Sequence, residues 1–416
     1  MKKAIPFATF AALSAATLLA AATVAAQAEN WVNVYDPALG AIVGVCGDIG
    51  RDDAGNVYAA GRQIAPDGTS VAIVQESSDQ GASWNVLDRY SETGLSYAHN
   101  RAFAADPLNG NLFAGGNLNN LLPDGTYEFD TLWFIRERDP VTGAWSIAED
   151  DSALVNDVGQ ASCADIMVSR SGDVYATGGG QLGWLIRKRP AGASAFTTVD
   201  VDYSGQSSGS GWDMACHPDY GLFAVGDVNG IWTVRRSASG ESNTWATVDS
   251  FYTQREWTSG SAKCILATPS KIHVVGSAYK YHSGSHWVVR SSANGGQTWA
   301  ITDDYAPTMP AEARGLVQDG SGNLVVCGYV IGSAGGYQWT VRKGTPGTKL
   351  VKQGKQWVQV ETITWTTIDS YQLAPGKSAL PNGITTDANG NIYVGGSAQD
   401  ASGIDWWIVR KLSVTP

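Results

Sequence analysis

The chain is 416 residues long and carries a formal net charge of −11, with 16% of its residues charged against 49 Gly, 16 Trp and 16 Tyr. The acidic balance argues against nucleic acid or an anionic membrane surface as a partner. Few charges beside many aromatic, β-branched and Gly residues point to an all-β protein rich in tight turns.

In chain order, the first segment reads as an address. Lys2 and Lys3 precede an apolar run from Ala4 to Ala26, and Ala26-Gln27-Ala28 offers a small-x-small cleavage signal. This predicts a signal peptide over 1–28 and a secreted or periplasmic mature chain over 29–416. Losing Lys2 and Lys3 takes the formal charge from −11 to −13. The remainder has no other long apolar stretch, so no membrane insertion is expected. Cys46, Cys163, Cys216, Cys264 and Cys327 are an odd set with no C-x-x-C spacing, which reads as packed core thiols rather than a disulfide scaffold.

From Gly55 onward one pattern recurs. Gly55-Asn56-Val57-Tyr58, Gly110-Asn111-Leu112-Phe113, Gly172-Asp173-Val174-Tyr175, Gly322-Asn323-Leu324-Val325 and Gly390-Asn391-Ile392-Tyr393 are turns between alternating strands, the signature of a β-hairpin. Weaker copies lie at Gly221-Leu222-Phe223 and Lys271-Ile272-His273. A second motif, Trp-x-[Ile/Val]-Arg, follows at Trp133–Arg136, Trp184–Arg187, Trp232–Arg235, Trp287–Arg290, Trp339–Arg342 and Trp407–Arg410, with a degenerate copy at Ala72–Gln75. A third closes each unit with an aromatic residue, a β-run and an acid, often followed by Tyr, as in Trp84…Asp88…Tyr90 and Trp365…Asp369…Tyr371.

Four strands per unit at a period of roughly 50 to 65 residues predict one domain, a seven-bladed β-propeller of four-stranded antiparallel blades. The seventh unit stops after its third strand at Leu412, while Trp31-Val32-Asn33-Val34-Tyr35 resembles the fourth-strand segment Trp84-Asn85-Val86-Leu87. The N-terminal strand is therefore expected to complete the last blade as a Velcro closure, removing the free sheet edges.

Two resemblances follow from these residues. Ser77-Ser78-Asp79-Gln80-Gly81-Ala82-Ser83-Trp84 resembles the Asp box of sialidase-type (BNR) propellers, and Ser292–Trp299 is a copy with Asn294 for the Asp. The Asp-x-x-Gly-Asn-[Ile/Val]-Tyr turns resemble SBBP and NHL repeats of bacterial propellers. Sialidase activity would require an arginine triad, a Tyr-Glu pair and an early Arg-x-Pro motif. The nearest string here, Arg187-Lys188-Arg189-Pro190, lies mid-chain, so the resemblance implies fold rather than that activity.

In a propeller the innermost strands converge on a central channel, which makes its mouth the candidate site. Aligning those strands puts Asp48, Asp165 and Asp213 at one equivalent position and Arg101, Lys263 and Arg314 at its neighbour. With His99 the three Asp are the catalytic candidates, since carboxylates and imidazole do acid/base work. Arg101, Lys263, Arg314, Tyr97, Trp212, Trp257, Tyr279 and Tyr281 are the ligand-binding candidates, cations for anionic groups and aromatic rings for stacking on sugars. His217, Glu256 and Glu312 fall near the same mouth in this alignment. The alternative is that these charges neutralise one another in a plugged polar channel.

The longest second-to-third-strand loop, Gly115 to Asp130, contains Asn117, Asn119, Asn120 and Tyr127, whereas Gly179–Gln181 and Asp227–Gly230 are short. That leaves the face open over the third and fourth blades. No cofactor is expected, and no metal: the Asp-rich turns lack the Glu of an EF-hand loop, and the five His lack zinc spacing. Blade six carries an insertion over 345–361, whose Lys349, Lys352 and Lys355 make it locally basic. The reading is a monomeric propeller binding a poly- or oligosaccharide or an extracellular protein at the channel mouth; the alternative is a glycoside hydrolase or polysaccharide lyase using the same residues.

Overall fold

A computed structural model describes residues 29–120, 122, 131–150, 161–180, 183–202, 209–253 and 255–414. The segment expected to be a signal peptide and Tyr127 lie outside these residues. Among the described residues the chain is all-β and propeller-like, with five four-stranded antiparallel sheets and one eight-stranded sheet. The first sheet pairs Gly44–Arg51, Val57–Ile64, Ser70–Ser77 and Asn85–Tyr90 in that order, and the other units repeat this meander. The eight-stranded sheet is two such units, 161–202 and 209–251, joined where Gly179 and Gly180 pair with Ser210 and Gly209. No helix of the described residues is long and apolar enough to cross a membrane.

The repeated motifs explain the local structure. In the Asp-x-x-Gly-Asn turns the carboxylate replaces water for the turn amides: Asp387 accepts from the Asn391 amide at 2.9 Å and from the Tyr393 hydroxyl at 3.0 Å. Gly390, at φ 80°, takes the left-handed conformation that glycine adopts without strain. Asp79 likewise accepts from the Ser83 amide at 2.8 Å and the Ser77 hydroxyl at 2.8 Å, between third and fourth strands. Asn294 takes the same place with the Thr298 amide at 2.9 Å.

The core lies between neighbouring sheets. Trp133, Trp184, Trp232, Trp287, Trp339 and Trp407, the first residues of the second motif, are almost fully buried. The indole of Trp232 packs on the following unit at Gly276, where a Cβ would come within 2.9 Å of the ring. Trp407 of the 379–412 unit meets Gly61 of the 44–90 unit in the same way, again at 2.9 Å. Only a residue without a side chain lets sheet and indole approach this closely.

The Arg of the second motif and the acid of the third meet across the same junctions. Arg136 Nε reaches Asp88 at 2.6 Å, Arg235 reaches Asp200 at 2.6 Å, Arg342 reaches Asp303 at 3.0 Å and Arg410 reaches Asp369 at 2.8 Å. Arg290 with Asp249 and Arg187 with Glu149 complete the set. The aromatic residue two positions after the acid lies under the guanidinium: Arg342 sits 3.6 Å from the Tyr305 ring and Arg410 4.3 Å from Tyr371.

The first strands of the units, Gly44–Arg51, Tyr97–Ala105, Ala161–Val168, Gly209–His217, Trp257–Ala267, Glu312–Gln318 and Ala379–Thr386, lie side by side, each against the next. Gly44–Arg51 also packs against Ala379–Thr386, and Trp31–Tyr35 pairs with Asp405–Leu412. The 345–361 segment continues the hairpin of Tyr337–Gln353 and Gln356–Tyr371 beyond the sheet, leaving Leu350 and Trp357 exposed. One expectation is corrected: Gly115–Asn119 is not loop but part of strand Leu112–Asn119, where Asn117 and Asn119 are buried. Gly179 and Gly180 likewise extend strand Val174–Gly180. All five cysteines are free thiols, with Cys46, Cys163 and Cys327 buried.

Candidate functional site

Each first strand carries a β-bulge at the same height. The ladder skips one residue between Cys46 and Asp48, Asn100 and Ala102, Cys163 and Asp165, Gly211 and Asp213, Ala262 and Cys264, Ala313 and Gly315, and Pro381 and Gly383. A bulged residue has no cross-strand partner and its side chain is re-aimed. Here the skipped residues are Gly47, Arg101, Ala164, Trp212, Lys263, Arg314 and Asn382, and every one lines a single cavity of ≈ 730 Å³. Arg101, Lys263 and Arg314, aligned from sequence, are thus bulge residues brought together on one cavity.

Asp48, Asp165 and Asp213 each follow a bulge and line the same cavity. Their oxygens are engaged by main chain. Asp48 accepts from the Ile49 amide at 2.8 Å and from the Phe103 amide of the next unit at 2.9 Å. Asp213 accepts from Met214 at 2.7 Å and from Ile265 of the next unit at 2.8 Å, while Asp165 accepts from Met214 at 3.0 Å. Each carboxylate therefore ties its strand to the one beside it. Burial pushes Asp48 up to about 7 against the pull of its two amides. Asp165 is raised well above the carboxylate range, by burial first and then by the charges of Asp213 and Asp48. Burial raises Asp213 too, and the two carboxyl groups share the Met214 amide.

The cations are held differently. Arg101 is exposed and bonds through Nε to Asn117 Oδ1 at 2.9 Å. Lys263 Nζ lies 3.5 Å from the Trp212 ring centre, and burial lowers its pKa while Glu312 and Asp227 oppose that. Trp212 is itself fixed by an indole hydrogen bond to Asp227 at 3.1 Å. Arg314 bonds Glu312 at 2.8 Å and Asn382 at 2.6 Å.

His99 stands on the cavity wall, buried, with Nδ1 3.1 Å from the Tyr97 hydroxyl. Burial, then the charges of Arg101 and Arg62, hold its pKa well below the usual value, so the ring is neutral. Its Nε2 has no hydrogen-bond partner. A Cβ on Gly47 would come within 3.0 Å of that nitrogen and overlap the Asn100 carbonyl. Glycine at this bulge lets the strand pass close to the imidazole, whose Nε2 is buried.

The structure separates the other candidates from this cavity. Trp257 is buried in the core, edge-on to His286 at 5.6 Å. Tyr279 and Tyr281 are exposed side chains that do not line it. His217 ends strand Gly209–His217 and packs on Tyr220 at 4.6 Å, and Glu256 pairs with Lys280. Sequence alignment missed Asn382, whose Nδ2 bonds the Cys46 carbonyl at 2.7 Å. Its position beside Gly383, equivalent to Asp48, was the available signal. A second pocket of ≈ 450 Å³ adjoins the cavity and shares Arg101, Ala164 and Trp212 with it. Tyr97 lines this second pocket.

Comparison with known proteins gives fold relatives. A family model described as SBBP, beta-propeller repeat, matches residues 365–402. An ancestral GH74 enzyme superposes with a TM-score of 0.56 at 14% identity, covering 91% of this chain and 49% of its own. A Trypanosoma rangeli sialidase gives a TM-score of 0.44 at 11% identity, over 89% of this chain and 55% of that one. A protein of unknown function from Dyadobacter fermentans DSM 18053 gives 0.47 at 10% identity, over 92% and 99%. The chain thus spans about half the length of the GH74 enzyme and of the sialidase. No curated protein matches its sequence.

Proposed function

We propose that this chain is an exported seven-bladed β-propeller, closed by Trp31–Tyr35, that binds an acidic saccharide in its central cavity. The ring reading is supported by the contact of Gly44–Arg51 with Ala379–Thr386 and by the pairing of Trp31–Tyr35 with Asp405–Leu412. Export rests on the sequence of residues 1–28.

One observation carries the binding reading: the bulges direct Arg101, Lys263 and Arg314 to one cavity, while the oxygens of the neighbouring Asp are occupied by main-chain amides. A carboxylate tied by two amides acts as a joint between strands. Arg101, Lys263, Trp212 and the unpartnered His99 Nε2 are left to meet a ligand, with Arg314 held beside them by Glu312 and Asn382. A buried polar atom without a partner calls for one, and a sugar hydroxyl supplies it. Arginine matches a carboxylate with two parallel hydrogen bonds, and a Trp ring packs on the apolar face of a pyranose.

Isothermal titration calorimetry against a panel of hexuronic acids and acidic oligosaccharides tests this. Arg101→Ala and Arg314→Ala should each weaken binding by about tenfold or more, about 1.4 kcal/mol, with rising salt weakening the wild type. Equal affinity in wild type and both variants removes the reading.

A second reading, hydrolysis or lyase chemistry, is favoured by the Asp165–Asp213 pair, two buried carboxyl groups that share one amide and are both raised by burial. Assays for new reducing ends and for unsaturated uronate on the same ligands separate the two. Product that disappears in Asp165→Asn makes the protein an enzyme.

A further inference from the structure

The central cavity leaves its smaller neighbour unassigned, and the two differ in chemistry. The ≈ 450 Å³ pocket has a floor of Ser162, Gly179, Ser210 and Gly211. That floor is flat for a reason. It is where the 161–202 and 209–251 units fuse through Gly179↔Ser210, and a Cβ on Gly179 would come within 2.7 Å of Ser210 Oγ. No larger side chain fits at Gly179. The rest of the lining is largely polar. Asn117 and Asn119 are buried strand residues, and Asn119 Nδ2 bonds Thr131 Oγ1 at 3.2 Å. Among the described lining residues Arg101 is the only cation and there is no carboxylate.

The partition between the compartments is equally specific. Ala164 is the bulge residue of the 161–202 unit, and with Arg101 and Trp212 it lines both compartments, its methyl the smallest of the three side chains. Lys263, which sits against the Trp212 ring, lines the central cavity alone. The central end of this double site thus carries Lys263 and Arg314 beside buried carboxyl groups, and the lateral end carries amides and hydroxyls, with Arg101 and Trp212 between them.

We infer that the lateral pocket is a second subsite taking a neutral sugar ring covalently attached to the acidic sugar in the centre. This rests on the central-cavity reading above and sharpens it: the ligand is an oligosaccharide of mixed charge, bound in one direction, with its carboxylate at the cations and its uncharged neighbour over Ser162 and Ser210. The volume lies in the range of small-molecule sites.

The test uses the full mature chain and calorimetry with glucuronate, galacturonate and their glucose-extended disaccharides. Wild type should bind one disaccharide about tenfold or more tightly than its acidic monomer. Ser162→Leu fills the lateral pocket; it should bring the disaccharide to within about twofold of the monomer and leave the monomer unchanged. Thr131→Val, a smaller change on the opposite wall, should cost the disaccharide about threefold and the monomer nothing, which keeps the test open should Ser162→Leu not fold. Monomer and disaccharide binding wild type equally overturns the subsite. So does a disaccharide advantage that survives both variants. Failure of every acidic sugar to bind wild type instead removes the central-cavity reading.

Discussion

The chain uses acids and bases in two places, and the contrast separates structure from site. At the junctions between units, each guanidinium of the second motif lies on a carboxylate of the preceding unit, with both partners shielded: side-chain exposure is 8% and 9% for Arg342 and Asp303. At the cavity the same residue types come from adjacent positions on the first strands, yet Asp48 and Asp213 are bonded to amides of their own and the next strand. Arg101 reaches out to Asn117 instead. Buried charges paired one to one hold sheets together; of the charges turned inward by a bulge, Arg314 is paired with Glu312 while Arg101 holds only an amide oxygen. The junction between the 379–412 and 44–90 units sharpens this. There Tyr35 takes the place of the acid, opposite Val409 as Asp369 is opposite Val341, and Gln75 takes the place of the arginine. Burial raises the Tyr35 hydroxyl pKa, and Gln75 beside it opposes that rise. Both halves of the ion pair are replaced together, as expected if a lone buried charge is costly.

The largest effect should come from breaking a junction. Asp303→Ala strands Arg342 in a buried site and should cost about 3–5 kcal/mol, read as a fall in Tm. The double variant Arg342→Gln with Asp303→Tyr installs the neutral pair of the 35/75 junction and should recover most of that loss; a double variant less stable than the single would show that the two junction types are not interchangeable. A smaller effect is expected at the cavity. Asp213→Ala leaves the Ile265 amide without its acceptor and the Met214 amide with Asp165 alone, and should cost about 1–3 kcal/mol. Arg101→Ala, whose side chain is exposed, should leave Tm unchanged. If Asp213→Ala is as stable as wild type, the carboxylate is not a joint between the strands.

A further effect lies in the pH profile. Asp48 has its folded pKa raised to about 7 from an ordinary 3.8. The folded state therefore binds the extra proton, and this contribution is complete below about pH 4 and lost as pH rises through 7. Tm should decline more steeply over that interval in wild type than in Asp48→Asn. Identical slopes would mean that Asp48 is ionised throughout and belongs with the amide-stabilised anions.

Much of this was legible in the residues, and the exceptions have physical causes. The three repeated motifs gave the strands and the alignment of Asp48 with Asp165 and Asp213, because periodicity is local. The junction ion pairs were also written there, as an Arg in one motif and an acid in another that fail together at Gln75 and Tyr35, but neither motif says which unit it contacts. Trp257, Tyr279 and Tyr281 could not be placed, because an aromatic residue near a strand end serves a core and a surface equally well. Asn117 and Asn119 lay in a Gly- and Asn-rich stretch that resembles loop, and pairing with the first strand made it sheet.

The sequence by itself determined the all-β meander, its turns, and the residues that recur at each step, since these follow from alternation, glycine geometry and side-chain capping within a few neighbours. Only the tertiary structure decided what those residues do. The bulges bring side chains from distant units to one cavity, main-chain amides claim the carboxylates, and the meeting of Gly179 with Ser210 opens a second pocket. Those outcomes depend on the distance between sheets, which no single unit contains.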